Sequence, residues 1–149
     1  AALTYANMGF RSQGSLAEKD EFYAQAKKLI QKADAISPNN SEIVAVQGFI
    51  TMGELAADPQ SRGQHLSAEA MQTFGKAISL NRQNPRAIIL MAQLEYGMAQ
   101  FFGQGPEKAC GLLNSSLELF AKEEATKVEG SIEPKWGRDM AERMKEKCK

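Results

Sequence analysis

The stretch Ala70–Pro85, AMQTFGKAISLNRQNP, decides the fold of this chain. Ala70, Phe74 and Ala77 stand at i, i+4 and i+7, one stripe of a helix, and a small–large–small stripe lets a neighbouring helix come close around one bulky anchor. The phrase occurs twice more. Ala26, Ile30 and Ala33 precede Ile36-Ser37-Pro38-Asn39-Asn40, and Ala109, Leu113 and Ser116 precede Leu119 and Phe120. Ala33 and Ala77 lie 44 positions apart and Ala77 and Ser116 lie 39 apart, so a helical unit recurs at nearly constant spacing.

With its A-x3-F-x2-A stripe closing near a proline, the chain resembles the tetratricopeptide repeat family. That resemblance implies an all-α fold: three helical hairpins stacked as a short right-handed superhelix (an α-solenoid) with a C-terminal capping helix. The units are 1–40, 41–84 with an inserted loop, and 85–122, followed by a polar connection 123–133 and the capping helix 134–149. Both repeat spacings exceed the roughly 34 residues of an uninterrupted unit, and the loops DPQSRGQ and GQG are where the excess is expected. One hairpin cannot bury its apolar faces alone, so pairs stack, first helices lining a concave surface and second helices forming its back.

Taken in order, Ala1–Ser12 suits a first helix, and Ser15 with Glu18 resembles a capping box opening a second that ends before Pro38. Ser41 is the N-cap candidate for a third helix to about Ala57. Asp58–Gln64 reads as a loop, and Ser67 as the cap of a fourth helix, Ala68–Leu80. Pro85 opens a fifth helix at the position where its missing N–H costs nothing, and Pro106 opens the sixth. After the polar stretch Glu123–Glu133, Pro134-Lys135-Trp136-Gly137 leads into a seventh helix, Arg138–Lys147, whose Met140, Ala141 and Met144 share a face. This segment is placed to cover the open end of the stack, with Trp136 packed beneath it.

The family resemblance also implies a partner-binding set on the first helices. Residue by residue it comprises Leu3, Ala6 and Phe10 in the first unit, Glu42, Ala45, Phe49 and Met52 in the second, and Arg86, Ile89, Gln93 and Tyr96 in the third. Such a mixture of aromatic, apolar and oppositely charged residues suits a groove for a peptide or protein segment, and Arg86, a planar bidentate donor, is the residue expected to meet a carboxylate. The alternative is that Phe10, Phe49 and Ile89 are ordinary core. Families that grip a peptide's terminal carboxylate use a clamp of several Lys and Asn, which is missing: these helices of units two and three contain no Lys, and their only Arg is Arg86. The expected function is therefore a non-catalytic interaction scaffold. The alternative is an accessory module of an envelope assembly that acts by self-association or through its convex face.

Composition narrows the classes. Lys plus Arg and Asp plus Glu number 18 each, for a net charge of zero, which gives no general pull toward nucleic acid or an anionic membrane. The longest apolar run, Ala87–Ala92, is far short of the ~20 residues of a spanning helix; a soluble protein without membrane insertion, and a monomer, is expected. His65 is the only histidine, so neither a His-based metal site nor a His-assisted nucleophile is indicated, and no catalytic residue, metal or cofactor is expected. The lysines near the C-terminus alternate with acids and read as a solvated face.

Two cysteines, Cys110 and Cys148, remain. A terminal helix folded back over the last unit would bring them together, and their bond would imply an oxidising compartment; the alternative is two unrelated thiols. The ending PKWGRDMAERMKEKCK also resembles that of secreted bacterial proteins of tetratricopeptide type, and a chain opening at Ala1 without an initiator Met is compatible with processing. A periplasmic or secreted location is expected, with the cytoplasm as the alternative.

Overall fold

The computed structural model describes residues 1–149. Seven helices and no strand follow one another: α1 Ala2–Arg11, α2 Leu16–Ile36, α3 Ser41–Ala57, α4 Pro59–Leu80, α5 Pro85–Phe101, α6 Glu107–Ala125 and α7 Arg138–Met144, with a final 3-10 turn, Lys145–Cys148. From α1 to α7 each helix packs on the next, α3 also touches α1 and α5, and α7 rests on both α5 and α6. Two of the three stripes are enclosed throughout, Ala70, Phe74 and Ala77 and likewise Ala109, Leu113 and Ser116; in the first stripe Ala26 and Ile30 are buried and Ala33 is half-buried at the edge of the core. One core joins α1 to α5, and a second joins α5, α6 and α7.

Polar side chains set the helix starts. The Ser15 hydroxyl accepts from the Glu18 amide at 3.2 Å, as the capping box predicts. At α3 the cap is Asn40, not Ser41: the Asn40 side-chain Oδ1 accepts from the Glu42 and Ile43 amides. Ser41 is the first residue of the helix, and its buried hydroxyl donates to the Ala77 carbonyl at 2.7 Å while accepting from the Asn84 side-chain Nδ2 at 2.9 Å. Asn84 in turn caps α5 through the Arg86 and Ala87 amides. One buried relay thus ties the starts of α3 and α5 to the end of α4, satisfying groups that would otherwise be orphaned.

The segment DPQSRGQ is helix rather than loop. Asp58 accepts from the Ser61 amide, Pro59 occupies the first turn, and α4 runs unbroken past Ser67, whose hydroxyl bonds back to the Gln64 carbonyl. Tertiary contact overrides the weak propensity of Gly63: Arg62 forks onto both carboxylate oxygens of Asp20 at 2.7 Å each and donates to the Glu54 carbonyl. The residues from Pro59 to Gln64 therefore lengthen α4.

Close approach depends on Gly48. A Cβ there would lie 2.7 Å from Phe74 Cδ1, and the Phe74 ring is fully enclosed and has nowhere to go. Gly48→Ala is expected to destabilise by about 1–3 kcal/mol, less the helix propensity that alanine gains. The melting temperature should then fall by a few degrees, measured by thermal circular dichroism; an unchanged or higher value would show that α3 and α4 can move apart at little cost.

Candidate ligand-binding cleft

Four elements converge on a cleft of about 330 Å³ between α1, α3, α5 and the C-terminal segment. Each contributes residues one helical turn apart: Asn7, Phe10 and Arg11 from α1, Phe49 and Met52 from α3, Gln93 and Tyr96 from α5, and Met140, Arg143, Met144 and Lys147 from α7 and the turn after it. The floor is aromatic. Phe10 and Phe49 stack with ring centroids 4.8 Å apart, Tyr23 meets Phe10 edge-on at 6.0 Å, and Trp136 lies 6.2 Å from Phe49. Lys147 Nζ sits 5.1 Å from the centre of the Tyr96 ring.

Of the residues singled out from sequence, Phe10, Phe49, Met52, Gln93 and Tyr96 stand together in this cleft. Ala45 and Ile89 are fully buried in the two cores. Glu42 and Arg86 lie elsewhere, and Arg86 meets carboxylates of its own chain. Only 3% exposed, it donates through Nε to Glu42 at 2.7 Å and forks onto Glu123 at 2.6 and 3.0 Å. It also donates to the Trp136 carbonyl at 3.4 Å and lies over the Phe120 ring at 5.7 Å. Burial works against the Arg86 charge, but the bonds to Glu123 and Glu42 outweigh it and hold the guanidinium above its usual value. For Glu42 the balance tips the other way: burial raises its carboxyl above the ordinary range despite Arg86. Its Oε2 is buried without a hydrogen-bond partner.

This triad anchors the segment leading into α7. Gly137, at φ +100°, turns the chain directly over Arg86, where a Cβ would lie 2.9 Å from Arg86 Cγ. At the far end, Cys148 is joined to Cys110 of α6, with Cα atoms 5.7 Å apart. The C-terminal wall of the cleft is thus tied at both ends, by an ion-pair cluster and by a disulfide. Between the ties, Ala141 and Met144 bury against α5 and α6, so Met140, Arg143 and Lys147 turn toward the cleft.

Sequence reasoning did not place Asn7, Arg11, Met140, Arg143, Met144 or Lys147 at a site. Met140 and Met144 carried a signal, a shared apolar face, but read as a cap; Lys147 read as solvated surface. His65 is 86% exposed on α4, away from the cleft, and no group of three or more His, Cys, Asp or Glu side chains is placed to hold a metal ion. No helix is long and apolar enough to cross a membrane.

Fold and cleft together define an all-α protein with an aromatic, methionine-rich hollow closed by a disulfide-tethered terminal helix. No protein-family model matches the chain, and no curated protein matches it. Among solved structures it is similar to the HusA haemophore from Porphyromonas gingivalis, with a TM-score of 0.82 and 30% identity over 99% of this chain and 71% of that one. The chain belongs to the same family as that haemophore.

Proposed function

We propose that the protein is a non-catalytic binder whose cleft takes a planar, largely apolar small molecule of the haem and porphyrin class. The observation that carries this reading is the cleft itself: stacked Phe10 and Phe49, Tyr96, and the thioethers of Met52, Met140 and Met144 on walls from four elements. Flat π-systems gain from such surroundings through stacking and sulfur contacts. The kinship with a haemophore supports the same ligand class. Its modest volume, at the small end of the range for small-molecule sites, and its closed C-terminal side favour a compact ligand over an extended peptide.

The helix order supports reading α1–α6 as three tetratricopeptide-type hairpins with α7 as the cap, the odd helices forming the concave wall that holds the cleft. The disulfide supports an oxidising, extracytoplasmic location. The peptide-scaffold reading has less support, because Arg86, its expected polar anchor, is consumed internally.

No imidazole or free thiol lines the cleft; its phenol and thioethers, Tyr96, Met52, Met140 and Met144, are also groups that can ligate haem iron, and we assign them to ring packing rather than to axial ligation. Haemin and a metal-free porphyrin are therefore expected to bind with dissociation constants within about tenfold of one another, a gap of roughly 1.4 kcal/mol. Absorbance and fluorescence titrations measure both. Met52→Ala with Tyr96→Ala should weaken both by at least about tenfold, since each side chain contributes on the order of 1 kcal/mol. Absence of saturable binding in the unaltered protein, or undiminished affinity in the double variant, would remove the porphyrin reading.

A further inference from the structure

We infer that the cleft selects an anionic ligand and orients it, with acidic groups directed to Arg11, Arg143 and Lys147; this specifies the ligand of the site proposed above and rests on that reading. The chain as a whole is neutral, with 18 basic and 18 acidic residues. Its cleft is not. Among the lining residues are three cations, Arg11, Arg143 and Lys147, and no carboxylate. A one-signed set of charges around a low-dielectric hollow concentrates field in it and favours a ligand of opposite sign.

The three cations are unequally committed. Arg143 is paired with Asp139 one turn back on α7, an exposed pair that a ligand carboxylate can displace at small cost. Lys147 lies on the face of Tyr96, which leaves its three N–H donors free to bond. Arg11 makes no salt bridge within the chain and stands in the last turn of α1, at the rim of the cleft, where the helix dipole favours a cation. Its planar fork suits bidentate pairing with a carboxylate. Arg11 stands on α1, whereas Arg143 and Lys147 stand on the C-terminal segment, so the cations belong to two walls of the cleft. A rigid ligand with its acids on one edge can meet both walls while its apolar body lies over Phe10, Phe49 and Met52.

The test compares mesoporphyrin IX, a metal-free diacid, with its dimethyl ester by fluorescence titration at low and high salt. The unaltered protein is expected to bind the diacid about tenfold more tightly than the ester, with the margin shrinking in salt. In Arg11→Gln with Lys147→Gln the margin should fall to about twofold or less, and circular dichroism checks that these exposed changes leave the helices intact. Equal affinity for diacid and ester in the unaltered protein, or an undiminished margin in the double variant, overturns the inference while leaving the porphyrin reading standing. If neither porphyrin binds, the porphyrin reading fails. Anion selectivity is then read from 1-anilinonaphthalene-8-sulfonate against neutral Nile red: preference for the sulfonate, lost in the double variant, supports the charge assignment, and no preference overturns it.

Discussion

Replacing Arg86 with Met is expected to lower stability by about 3 kcal/mol at neutral pH. Removing one partner of a buried ion pair typically costs about 3–5 kcal/mol, because the remaining charge is left uncompensated. The lower end applies here, since Glu123 is 41% exposed and can turn to water, whereas Glu42 is more enclosed and already has one oxygen without a partner. The pH dependence has a definite sign. The Glu42 carboxyl is raised in the folded state, so the folded protein binds its proton more readily than the unfolded chain. The cost of its charge is therefore fully present at neutral pH and is relieved as pH falls through the raised value toward the ordinary carboxylate range. Without Arg86 that value rises further. Urea unfolding should show a variant deficit that is largest near pH 7 and narrows toward pH 5; a deficit that widens on acidification would mean that Glu42 is not the group left stranded. Glu42→Gln added to Arg86→Met should recover part of the loss at neutral pH.

Loss of the disulfide should have an effect of similar size and a different location. Closing a loop over a separation of 38 residues is worth roughly 4 kcal/mol in the chain-entropy account, of which about 2–4 is the expected measured loss for Cys110→Ala with Cys148→Ala. The structural consequence concentrates in the C-terminal segment. α7 has seven residues, too few to persist as a helix without its packing, and buries only Ala141 and Met144. Hydrogen exchange should accelerate from Arg138 to Lys149 while α3 and α5 stay protected. Ligand affinity should fall with it, because Met140, Arg143, Met144 and Lys147 all ride on that segment. Unchanged protection of α7 in the variant, or under reductant, would show that Arg86 and the apolar contacts hold the wall unaided.

These two ties explain why the site was only half legible in the chain. Phe49 with Met52 and Gln93 with Tyr96 are one turn apart on their helices, so a repeat pattern locates them as a set. Arg86 has the chemistry of a carboxylate receiver, and in the fold the carboxylates it receives are those of its own chain. Its partners, Glu42 and Glu123, are 44 and 37 positions away, and nothing local distinguishes an arginine that will find them from one that will face a ligand. The helical nature of DPQSRGQ was hidden for the same reason: Pro, Ser and Gly signal a loop locally, while the Asp20 that pins Arg62 lies 42 positions earlier.

The sequence by itself determined that the protein is all helical, that its helical stripes face inward, fully for two of them and with Ala33 half-buried in the first, where most helices begin and end, and that an aromatic set shares the faces of α1, α3 and α5. These are matters of period and capping, decided by neighbours three or four residues apart. Only the tertiary structure decided that α7 closes the hollow, that Arg86 is consumed in holding it, and that Arg11, Arg143 and Lys147 are the cations left around the cleft. Side chains far apart in the chain became neighbours through packing, and whether a charge is satisfied depends on what packing brings within reach of it.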